Sequence, residues 1–166
     1  MARAWCLPNN DAVTIDETSG FVKRFRRVPW RFQETFIVPQ RDLTGFAATI
    51  VASFKDLQAG CLTIDQRIPE PRRLLDLLAP HSLSADPGHD WSEQATERDE
   101  ITDLLRAAFA DPLDFTFVPT PKPFVMYADH DEYATFYANT KSNLNKVVGP
   151  LSARGYKRVL GYERQL

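Results

Sequence analysis

The chain has 166 residues, of which 43% are hydrophobic and 25% charged, a balance that excludes a wholly disordered protein and suffices for one domain with its own core. Its formal net charge of −2 speaks against a protein that grips nucleic acid through overall positive charge. With 7 glycines against 12 prolines, a nucleotide fold built on a glycine-rich phosphate cradle is disfavoured as well.

The first eight residues contain no apolar core of a signal peptide, and no apolar run reaches the ~20 residues that span a bilayer. Cys6 and Cys61 stand alone, with no CxxC and no Cys/His cluster, which points to a reducing, cytoplasmic setting, free thiols and no structural zinc. Residues 18–28 place Phe21, Val22, Phe25 and Val28 on one helical face. The run at 23–31, with Lys23, Arg24, Arg26 and Arg27 around Phe25 and before Trp30, has the basic–aromatic interleaving that can hold a nucleic-acid backbone; a solvated helix face accounts for it equally.

A strand is expected at 33–38. A helix follows at 42–58, with Leu43, Phe46, Ala47, Ile50, Phe54 and Leu57 on its apolar face, Asp42 as cap and Gly60 past its end. Another strand at 61–64 completes a βαβ unit. A short helix is expected at 70–78, opened by Pro71 and stopped by Pro80. Residues 80–95 read as a flexible loop between two halves of one domain. A helix at 97–109 carries Ile101, Leu104, Leu105, Ala108 and Phe109, with Thr96 and Asp99 spaced as a capping box. Strands at 114–118, 124–128 and 133–138 follow closely enough for an antiparallel meander. The latter two are apolar on both faces, as central strands are. The last helix, 142–154, takes Ser142 as cap and Gly155 as stop, and Pro150 inside it predicts a kink or break. A strand at 156–162 closes the chain. The reading is one α+β domain over 1–166, with a mixed β-sheet packed by about five helices.

Four clusters carry candidate chemistry. Asp129, His130 and Asp131, with Glu132, sit in the turn between two strands; carboxylates around an imidazole raise its pKa and can serve a hard cation or a general base, although Asp and His are also ordinary turn residues. Asp65, Arg67, Arg72 and Arg73 follow the strand at 61–64, where arginines can hold a phosphate or carboxylate. Glu34 on the preceding strand is placed to pair with Arg67; a structural ion pair explains the same residues. His81, Asp86, His89 and Asp90 are metal-ligand types without a metal-ligand spacing. Glu93, Glu97, Glu100 and Asp103 make the middle of the chain acidic while both ends are basic. That middle either packs against the ends and neutralises them or forms a docking face for a cationic protein.

No GxSxG, HExxH, P-loop or dinucleotide fingerprint occurs, and no metal or cofactor is called for. The expected function is a small cytoplasmic protein-binding domain, of the antitoxin, immunity or regulatory-adaptor kind, with a basic protein partner and no membrane. The alternative is a small-ligand-binding protein or enzyme with a polar site around Glu34, Asp65 and Arg67.

Overall fold

The computed structural model describes residues 30–67, 76 and 92–162. Ten elements run in the order β1 (Phe32–Ile37), α1 (Leu43–Ala52), β2 (Ala59–Arg67), β3 (Ser92–Ala95), α2 (Arg98–Ala110), β4 (Leu113–Thr120), β5 (Val125–Ala128), β6 (Tyr133–Ala138), α3 (Lys141–Ala153) and β7 (Arg158–Val159). The strands form one sheet in the order β3-β2-β4-β5-β6-β1-β7. Among the described residues, no helix is long and apolar enough to cross a membrane.

The α+β class stands, but the sheet is antiparallel rather than mixed, because every neighbouring pair runs antiparallel. The β1–α1–β2 crossover exists, and its two strands point the same way. They are not neighbours: the meander β4-β5-β6 fills the gap between them. Three helices lie among the described residues; the expected helices at 18–28 and 70–78 fall outside them, as does most of the loop at 80–95.

Alternation along each strand divides the sheet into two faces. On one, Phe36, Leu62, Phe115, Phe117, Met126 and Phe136 join the buried faces of all three helices in the main core. On the other, Val125, Tyr127 and Tyr137 form a second cluster with Trp30 and Val118. Tyr133 continues the Tyr137 row along β6 on this face and stacks on Tyr162. Buried threonines pair across this face, with Thr35 and Thr135 hydroxyls 2.9 Å apart in register.

The helix ends show where local signals yielded to tertiary ones. Asp42 caps α1 as expected, accepting from the Gly45 amide. The helix ends at Ala52 instead of 58, because Arg98 reaches across from α2 and takes the Val51, Phe54 and Lys55 carbonyls. Phe54 and Leu57 still pack on the core, so their spacing was sound although the last turn is not helical. At α2 the Thr96/Asp99 capping box does not form: Glu97 is the N-cap and its side chain makes no capping bond. At α3 the cap is Thr140, not Ser142.

Pro150 does not break α3, which runs on to Ala153. It sits on the exposed face one turn from the end, and the carbonyl it cannot serve belongs to the exposed Lys146. Gly155 is the expected stop. Its φ of +82° lets the Gly155 and Tyr156 amides return to Ser152 and Leu151, the double bond of a Schellman cap. β3 was not expected. Ser-Glu-Gln-Ala has no β-branched or aromatic residue, and it forms a strand because β2 offers it an edge.

Candidate functional site

The β5–β6 connection is a tight hairpin whose sequence dictates its shape. Asp129 Oδ1 accepts from the Asp131 and Tyr133 amides, and the Glu132 amide returns to the Asp129 carbonyl. Glu132 then takes a φ of +67°, closing a type I turn with a left-handed residue, a position that usually calls for glycine. The Glu132 carbonyl accepts from the Val38 amide, tying the turn to the exit of β1.

The turn also holds β4. Asp114 Oδ1 accepts from both the His130 amide, at 2.9 Å, and the His130 ring Nδ1, at 2.8 Å. Burial pushes the Asp114 carboxyl up, but bonds from the His130 ring and amide, the imidazolium charge and a bond from Tyr127 bring it below its ordinary value. The hydrogen bond to Asp114 raises the His130 pKa, partly opposed by the loss of water, and the charges of Asp114 and Asp131 raise it further. The expected direction is correct; its main cause lies in β4 rather than in the turn. Beside the ring is a cavity of ≈ 150 Å³, lined by Asp111, Asp129, His130 and Glu132 over Val38, Phe109 and Phe115. Among the described residues, no group of three His, Cys, Asp or Glu is arranged to hold a metal ion.

The second cluster does not assemble as expected. Glu34 lies on β1 and Asp65 on β2, with three strands between them. The partner of Glu34 is Arg158 on β7, not Arg67. Asp65 is the extra residue of a bulge between β2 and β4, and that bulge aims its carboxylate at the Thr116 hydroxyl, 2.9 Å away. Arg67 ends β2; Arg72 and Arg73 lie outside the described residues, as do His81, Asp86, His89 and Asp90. Of the basic run at 23–31, only Trp30 and Arg31 are described.

The acidic cluster survives with one change. Glu97, Glu100 and Asp103 are exposed along α2, and Asp99 joins them. Glu93 does not: it is 8% exposed, on β3 in register with core residue Leu62. Sequence reasoning put it outward because it took β3 for loop; as a strand, it turns Glu93 to the helix side. Of the two cations in α2, Arg98 is committed to the end of α1 and Arg106 to Asp103, at 3.1 Å. Among the described residues, no ion pair joins Glu97, Asp99 or Glu100. Like charges so spaced on one helix repel by a few tenths of a kcal/mol each, which a domain tolerates, and those in the first turn suit the helix dipole.

The positive charge lies elsewhere. Residues 141–162 carry Lys141, Lys146, Arg154, Lys157 and Arg158 and no acid. They form α3 and β7, over and beside β6 and β1, whereas α2 packs on β2, β3 and β4. The two edge strands β3 and β7 are six strand spacings apart, about 29 Å across an ideal sheet. Comparison of the chain with protein-family models, curated proteins and solved structures finds no match.

Proposed function

We propose that the chain is a small cytoplasmic protein-binding domain, of the antitoxin, immunity or regulatory-adaptor kind, and that the outer face of α2 docks a basic protein. The observation that carries this reading is the separation of charge. The acids of α2 stand at one end of the sheet, their two neighbouring cations are engaged, and the basic C-terminal segment lies at the other end. Among the described residues, no ion pair joins these acids to the basic C-terminal segment, which speaks against self-neutralisation there. An unneutralised acidic face steers a cationic partner and speeds its association at low salt. Cys61, buried and outside any disulfide, accords with a reducing compartment. The alternative site around Glu34, Asp65 and Arg67 has less support, because Glu34 stands four strands from β2 and pairs with Arg158.

The test is affinity capture from a lysate of the source cells at low salt. The wild-type chain is expected to retain a basic protein that elutes as salt rises. The folded triple variant Glu97→Lys, Glu100→Lys, Asp103→Lys is expected to retain none of it. Retention that survives the reversal, or a retained protein that is acidic, would remove α2 as the docking face.

A further inference from the structure

The β5–β6 hairpin is fastened on two sides by different chemistry. Toward β1, the Val38 amide donates to the Glu132 carbonyl, a bond with no titratable partner. Toward β4, the fastening runs through Asp114, which receives both the ring and the amide of His130 on one oxygen. We propose that the His130–Asp114 pair is a proton-dependent clasp that holds the β5–β6 hairpin on β4.

The surroundings of the ring are one-sided. From β4 it meets Asp114, which Tyr127 of β5 also bonds. Its own turn supplies Asp129, Asp131 and Glu132, with Asp131 Oδ1 3.8 Å from the ring Nε2. Asp111, between α2 and β4, lines the adjoining cavity, and Asp65 of β2 bonds Thr116, the next residue on the same face of β4. Among the described residues, no Lys or Arg lines that cavity. Among the described residues that line the cavity, the imidazolium is therefore the only cation, and its 38% exposure leaves it open to protons from water.

The sign follows from the two shifts. The His130 pKa is raised, so its contribution to holding the hairpin is complete below the ordinary histidine value of about 6.5 and is lost as pH rises through the raised value. The Asp114 pKa is lowered, so its contribution is complete above the ordinary value near 3.8 and is lost as pH falls through the lowered one. Between those limits the clasp is a charge-assisted hydrogen bond. Above them the ring is neutral and donates to a carboxylate that stays ionised, so the bond remains but loses the attraction between two opposite charges.

Amide hydrogen exchange at His130, whose N–H donates to Asp114 of β4, reads the clasp directly. After correction for the chemical exchange rate, opening in the wild type is expected to increase about threefold from about pH 6 to about pH 9. In His130→Gln, which keeps a donor and cannot titrate, the same backbone amide should show no such change. In Asp114→Asn the titration midpoint of any surviving ring signal should fall toward 6.5. A pH-independent wild type, or a His130→Gln variant with the wild-type pH dependence, would overturn the clasp.

Discussion

Phe46→Ala is expected to destabilise the protein by about 3–5 kcal/mol. Phe46 is fully buried on α1. Its ring meets Phe109 of α2 edge-on at 5.4 Å between centroids and Tyr156, just after α3, at 5.1 Å. Three elements distant in sequence thus converge on one side chain, and its removal leaves a hole that none of them can close alone. Two aromatic pairs, each worth about 0.5–1.5 kcal/mol beyond their area, are lost with it. Against a total stability of roughly 5–15 kcal/mol, this is a large fraction, and in a chain of this size it lowers the melting temperature by about 10 °C. Urea denaturation checks it; a loss under about 1 kcal/mol would mean that the three helices do not share one core.

Gly60→Val is expected to cost about 3 kcal/mol or to prevent folding, by overpacking rather than by loss. Gly60 pairs with Ala95 on one side and Pro119 on the other. A Cβ there would stand 2.6 Å from the Phe117 ring and 3.1 Å from the Ile101 side chain. Both residues are almost fully buried and have nowhere to move. Gly149→Ala is the control. Nothing lies within 4 Å of its Cβ position in α3, and alanine there should stabilise by up to about 1 kcal/mol through helix propensity. Thermal melts of the two variants should move in opposite directions, and a tolerated Gly60→Val would refute the packing of β2 against Phe117.

Much of the fold was legible because periodicity reports burial. The apolar stripes of α1, α2 and α3 and the two-sided strands β5 and β6 fell where expected, since each buries those side chains in the present core. The sheet's antiparallel pairing was not legible. A strand–helix–strand run fixes the direction of β1 and β2, but which strands come between them depends on contacts far apart in sequence. β3 was hidden because its residues carry no strand preference and pair only because β2 has an open edge. That omission displaced Glu93 from its true place in the core.

The candidate site was half legible for a similar reason. The turn at Asp129–Asp131 announced itself through its residue types, and the rise in the His130 pKa followed from the carboxylates nearby. Asp114, the residue that matters most to the ring, is 16 positions away and becomes its neighbour only through the pairing of β4 with β5. Glu34 found an arginine, as a half-buried carboxylate must, but the fold supplied Arg158 from the final strand. The commitment of Arg98 to the end of α1 left no trace in sequence, yet it removes a cation from the acidic face.

The central claim is that Glu97, Glu100 and Asp103 are not neutralised by the rest of the chain. Its most direct test is the salt dependence of stability in the variant Glu97→Gln, Glu100→Gln, Asp103→Asn compared with wild type. Glu97 makes no capping bond and, among the described residues, only Asp103 of the three holds an ion pair, an exposed one, so neutralisation should change the unfolding free energy by less than about 1 kcal/mol. The acids repel one another in the wild type, so added salt should stabilise the wild type slightly more than the variant. A variant that is several kcal/mol less stable at low salt, with a deficit that shrinks as salt is added, would show that these acids are paired within the chain and would contradict a free docking face on α2.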